Sequence, residues 1–144
     1  MFKKFAVTMA TAAMVAASAM TAMAATTNYF YVYENGIFRA ARMGQDCVAG
    51  VSKNGNTVTM SLKDGEYGNF TGSITEAWVD TNGNGELDGK EKSLMNVDGT
   101  AIVYDQSENT AEINGTIYTN FTIEVSITGA MEMTKVQHTY VPMQ

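Results

Sequence analysis

The chain has 144 residues, nine basic and fifteen acidic side chains, one His, one Cys and a formal charge of −6. An acidic chain of this size is a poor partner for phosphate backbones or anionic lipid, which argues against nucleic-acid and membrane-surface binding. With Cys47 alone, no intramolecular disulfide can form, so a core, a metal or both must hold the fold.

The N-terminus reads as an exported leader. Lys3 and Lys4 give a positive start, Phe5 to Ala19 is a run of apolar and small residues, and Ala22-Met23-Ala24 offers a small-x-small cleavage site. Residues 1–24 are therefore expected to be a signal peptide and residues 25–144 a single domain. The leader takes two of the nine basic residues and none of the acidic ones, leaving seven against fifteen, a charge of −8 on 120 residues. That is enough chain to bury a core. Beyond the leader, no apolar run approaches the ~20 residues needed to span a bilayer. Ala25, not Cys, follows the cleavage site, and Tyr140–Gln144 carries no sorting signal. The expected location is secreted or periplasmic, in a bacterium.

Along the remaining chain, Val, Ile, Thr, Tyr and Phe are abundant and Leu is scarce, which favours strands. Tyr29–Tyr33 and Ile37–Arg42 flank Asn35-Gly36, a hairpin signature. Gln45–Val51 and Thr57–Lys63 flank Asn54-Gly55-Asn56, with Val58, Met60 and Leu62 on one face. Asp64-Gly65-Glu66 precedes a strand expected over Tyr67–Val79, and Asp98-Gly99 precedes Thr100–Asp105. Asn114-Gly115 reads as a turn or a kink before Thr116–Ile127, where Ile117, Thr119, Phe121, Ile123, Val125 and Ile127 alternate with polar residues. A last strand begins at Met131 and Met133. Its alternation slips near Lys135-Val136, which predicts a bulge. The sum is an all-β fold of about eight strands, an antiparallel sandwich or small barrel.

One segment carries specific chemistry. Residues 80–91 read Asp-Thr-Asn-Gly-Asn-Gly-Glu-Leu-Asp-Gly-Lys-Glu. Ca²⁺ takes six to eight hard oxygens at about 2.3–2.6 Å, and a short loop can wrap it when alternate residues point inward and a Gly permits the sharp turn. Asp80, Asn82 and Asn84 would supply side-chain oxygens, Glu86 its backbone carbonyl, Asp88 an oxygen directly or through water, and Glu91 two. Gly85 sits where the backbone must turn, and Leu87 would anchor the loop to a core. The segment resembles the calcium loop of EF-hand and dockerin proteins over these twelve residues. It departs from that pattern in having Asn rather than Asp at two ligand positions, which lowers the negative charge and points to the weak affinity of extracellular modules. The preceding Ser73–Val79 looks like a strand, and Lys90–Met95 could make one or two helical turns, so a short helix is expected near residues 89–95. A structural Ca²⁺ clamping an excursion from a β domain is the expected role.

Weaker signals remain. Tyr29, Tyr31 and Tyr33 share one strand face and, with Trp78, are candidate ligand-contact aromatics; a Trp buried beside the loop is the plainer alternative. Cys47 reads as a core residue and His138 as a surface one, since a lone His makes no multi-His metal site and supplies a Cys base only by chance. The closing strands loosely resemble those of calycin-like barrels. The paired Tyr-x-x-x-Tyr signature of the near-transporter haem-binding family is absent. The leading expectation is a non-enzymatic module that binds a protein, glycan or small molecule. The alternatives are a small-molecule carrier, as a calycin-like barrel or haem-binding sandwich, and a glycan hydrolase using two carboxylates.

Overall fold

The computed structural model describes residues 28–144, so the signal peptide expected over residues 1–24 lies outside the described residues. The described chain is all-β, as expected, with ten strands in two antiparallel sheets. They are β1 (Tyr31–Glu34), β2 (Ile37–Ala40), β3 (Val48–Asn54), β4 (Thr57–Leu62), β5 (Gly65–Tyr67), β6 (Phe70–Trp78), β7 (Ala101–Asp105), β8 (Thr110–Ile113), β9 (Thr116–Thr128) and β10 (Met133–Pro142). The larger sheet has the order β2-β1-β10-β9-β6-β5, with β8 also on β9, and curls into a half-barrel. The smaller has the order β3-β4-β7.

The hairpin signals act as the turn chemistry requires. Asn35 and Gly36 both adopt positive φ, 54° and 79°, between β1 and β2, and Asn114 and Gly115 do the same between β8 and β9. The strand expected over Tyr67–Val79 is instead two strands, because Gly68-Asn69 turns the chain back so that Tyr67 pairs with Phe70.

The long β9 organises the core. Its odd-numbered residues Phe121, Ile123 and Val125 are at most 2% exposed and meet Phe30, Val58, Met60, Ile102 and Val141 between the sheets. Burial of this kind supplies the main driving force of folding. Even-numbered residues of β9 point to the outer face. The bulge expected near Lys135-Val136 is absent: β10 pairs with β9 without interruption from Met133–Ile127 to Pro142–Tyr118. The alternation slips there for another reason. Lys135 lies on the inward row where nothing covers it, and Val136 on the outward row, beside the loop that follows β6.

The bulges sit elsewhere, between Val48 and Gly50 and between Ile74 and Glu76. The second one decides where the loop goes. Ile74 pairs with Val125, but the extra residue Thr75 makes Glu76 pair with Glu124, Ala77 with Ile123 and Trp78 with Thr122. A one-residue slip exchanges the two faces of a strand. Ala77 therefore enters the core, and Trp78 turns to the outer face.

Gln45, in a single 3-10 turn (Gln45–Cys47), brackets the start of β1. Its side-chain oxygen accepts from the backbone N–H of Tyr29 at 2.7 Å and of Phe30 at 3.2 Å, and its amide donates to the carbonyls of Phe30 at 2.6 Å and Ala41 at 3.0 Å. This holds Phe30 inward and sends Tyr31 outward. Gln45→Ala leaves these backbone groups without partners and is expected to lower unfolding free energy by about 2 kcal/mol. Chemical denaturation checks this, and an unchanged midpoint contradicts the bracket.

Candidate metal centre

The loop over residues 80–91 leaves β6 just after Trp78 and lies against the outer face of the larger sheet. Trp78 is 2% exposed, and its indole N–H finds no partner among the described residues. Thr122 beneath it is equally buried, and a side chain at Gly85 would come within 3.8 Å of Val136 on β10. Trp78 is thus buried beside the start of the loop.

The loop residues are knitted together. The side-chain oxygen of Asn82 accepts from the N–H of Asn84 at 3.2 Å, and that of Asn84 from the N–H of Glu86 at 3.0 Å. Such turns curl the chain tightly, and Gly85, with φ at 75°, completes the reversal. Asp80 Oδ2 accepts from the N–H of Gly85 at 2.7 Å. Glu91 closes the loop from its far end: Oε1 accepts from the N–H of Asp88 at 3.0 Å, and Oε2 from the N–H of Thr81 at 2.8 Å and its hydroxyl at 3.2 Å. The N–H of Asp88, followed by the donors of Thr81, holds the Glu91 carboxyl below the usual carboxylate range. The amides of Asn82 and Asn84 donate to the two oxygens of Asp88 at 3.3 and 2.5 Å.

Asp80 differs from the rest. Its side chain is 1% exposed, yet Oδ1 has no hydrogen-bond partner among the described residues. Its nearest basic group is Nδ1 of His138, 3.9 Å from Oδ2, and that nitrogen already shares a 2.8 Å hydrogen bond with the hydroxyl of Thr122. A buried carboxylate oxygen without a partner is costly. Among the described residues, no three Asp, Glu, His or Cys side chains gather at metal-binding spacing. The expected ligand set is of mixed type: three carboxylates, two amides and a backbone carbonyl.

Two expectations about the loop need correction. Leu87 is 38% exposed and is not among the residues packed on the core; the side chain that the loop buries is Asp80 instead. No short helix forms near residues 89–95. Ser93 bridges to Trp78 on β6, Met95 bridges to Ile102 on β7, and Leu94 donates to Ala77 at 2.7 Å while accepting from Val103 at 2.8 Å. Both sheets claim this backbone for extended pairing, which overrides any local helical preference. The loop is therefore the crossover from one sheet to the other.

The tyrosines divide. Tyr29 precedes β1 and packs against the edge of the core, whereas Tyr31 and Tyr33 stand on the outer face with Phe38, Tyr118 and Tyr140, which sequence reasoning missed. Phe38 was within reach, since it pairs with Tyr33 across the Asn35-Gly36 turn. Tyr140 and Tyr118 join through the non-local pairings of β1 with β10 and β10 with β9.

Cys47 is fully buried, as expected. Its thiol lies 3.5 Å from the carbonyl of Gly72 and 3.8 Å from the hydroxyl of Tyr67. Burial pushes the thiol up, and it pushes the Tyr67 phenol up to about 12. Near Tyr104, whose buried hydroxyl has no partner among the described residues, a cavity of about 30 Å³ is bordered by Asp105, Glu108 and Asn120, which is room for about one water.

Comparisons with known families, with curated proteins and with solved structures found no match. The functional argument therefore rests on this chain's own side chains.

A buried thiol that holds its proton resists attack. At pH 8, labelling of Cys47 in the native protein is expected to run at least about a hundredfold slower than in urea, and labelling at equal rates would contradict the packing. The folded thiol pKa lies above its ordinary value of 9.0. The stability contributed by the protonated thiol is thus present below that pH and is lost as pH rises through the folded value.

Proposed function

We propose that residues 80–91 bind one Ca²⁺ and that the chain is an exported, non-enzymatic β domain whose sheet crossover this ion fastens. The observation that carries the reading is the buried Asp80 oxygen with no partner. Ca²⁺ supplies the charge that this carboxylate lacks, and Asn82, Asn84, the carbonyl of Glu86, Asp88 and Glu91 complete a set of hard oxygens. The role is structural. The loop leaves β6 of one sheet and delivers Ser93 and Met95 to bridges with both sheets. In a chain with no disulfide, an ion closing this excursion stabilises the native state by preferring it over the unfolded chain. Exported proteins meet millimolar calcium, which suits a site of few charges.

Binding at the surface fits the packing better than carriage of an enclosed ligand. The space between the sheets is occupied by Phe30, Met60, Ile102, Ile123 and Val125, all at most 2% exposed. The carrier alternative would need an interior cavity far larger than the one beside Tyr104.

Thermal melting tests the calcium reading. With a Kd of about 0.1–1 mM, adding 2 mM Ca²⁺ is expected to stabilise the fold by about 0.6–1.8 kcal/mol, a rise of a few degrees in Tm, reversed by a chelator. Asp80→Ala and Glu91→Gln should abolish the rise. A melting temperature indifferent to calcium in the unsubstituted chain would contradict the proposal.

A further inference from the structure

We infer that the outer face of the larger sheet carries a second site, an aromatic platform that binds a neutral pyranose chain. Phe38 is its hub. The ring centroids of Tyr33, Tyr118, Tyr31 and Tyr140 lie 5.2, 5.3, 5.5 and 5.6 Å from that of Phe38. Tyr33 and Tyr140 meet edge to face at 5.8 Å, and Tyr31 and Tyr118 are tilted at 5.9 Å. The five rings come from four strands, β1, β2, β9 and β10, that lie side by side or in hairpin contact. None belongs to the buried core cluster. A ring assembly of this size facing away from the core is not needed to fill the interior, and Tyr33 is 51% exposed.

Three observations favour a sugar over other occupants. The first is chemical shape: an apolar ring is framed by four phenol hydroxyls, each able to donate and accept. A pyranose has the complementary pattern of an apolar C–H face rimmed by hydroxyls, and tyrosine combines an apolar body with a polar tip. The second is area. Tyr33 is half exposed and the other four rings less so, giving at most about 500 Å² of exposed ring residue. A stable protein partner buries about 800 Å² on each side, so a second copy or a folded partner is poorly served. The third is charge. The chain carries −6, and the alternation that sets Phe38 on this face puts Arg39 on the other, level with Val32, so anionic glycans and phosphates are repelled while neutral ones are not.

The platform adjoins the loop. Tyr140 stands two residues beyond His138 on the same face of β10, and His138 lies against Asp80. The loop therefore lies along the same face as the platform, but the rings are held by strand pairing, so the sugar site does not depend on the calcium reading.

Isothermal titration of the purified protein with cellohexaose, xylohexaose, maltohexaose and chitohexaose, with polygalacturonate as the anionic arm, tests the inference. Saturable binding of at least one neutral hexaose is expected, with none of polygalacturonate. Tyr33→Ala and Tyr140→Ala should each weaken it at least tenfold. Phe38→Ala should weaken it further, and Tyr33→Phe, which keeps the ring and the fold, should lose less than Tyr33→Ala. Glu91→Gln should retain sugar binding while losing any calcium-dependent melting shift, which separates failure of one site from failure of the other. Folded protein that binds none of the neutral hexaoses overturns the inference. So does binding unaffected by Tyr33→Ala and Tyr140→Ala, preference for polygalacturonate, or a dimer in sedimentation that Tyr33→Ala dissociates.

Discussion

The single extra residue at Thr75 is the constraint on which the rest of the molecule depends. Had β6 paired with β9 without a slip, Glu76 and Trp78 would have pointed into the core beside Ile74. A carboxylate would then have entered the space between the sheets, and the chain would have left β6 on the other face. With the slip, Ala77 fills the narrow position opposite Ile123, and Trp78 and the following loop go outside. Asp80 is buried not by the core but by its own loop folding onto Thr122 and His138.

From that placement the electrostatics follow. Most of the loop's polar groups answer one another: the Asx-type turns of Asn82 and Asn84, the closure by Glu91, and the amides against Asp88. Asp80 Oδ1 is left over, in a position from which water is largely excluded. A buried carboxylate oxygen without a hydrogen-bond partner calls for an explanation, and a bound ion is one. The crossover that the loop makes between two sheets explains how an ion there would act on the whole fold rather than on one turn.

Local chemistry made much of this legible. The Asn35-Gly36 and Asn114-Gly115 turns and the inward row of β9 can be read from residues close together in sequence. What could not be read depends on pairing between distant segments. Lys90–Met95 looks helical by itself and is extended because two sheets bond to it. Val136 looks like a break in alternation and instead lies on the outward row of β10, in register with Glu124. Leu87 looks like an anchor and is exposed, whereas the loop side chain that is buried is Asp80. The five-ring platform was half visible in Tyr31 and Tyr33, while Tyr118 and Tyr140 needed the order β1-β10-β9 to be known.

Trp78 provides the most direct measurement of the central claim. It is the only Trp in the chain and lies two residues before Asp80. Terbium occupies oxygen-rich calcium sites and emits when a nearby indole is excited. Titration with Tb³⁺ is predicted to give Trp78-sensitised emission that saturates at one ion per chain, is displaced by Ca²⁺ and is lost in Asp80→Ala. Emission that fails to appear, or that survives intact in Asp80→Ala, would contradict the account.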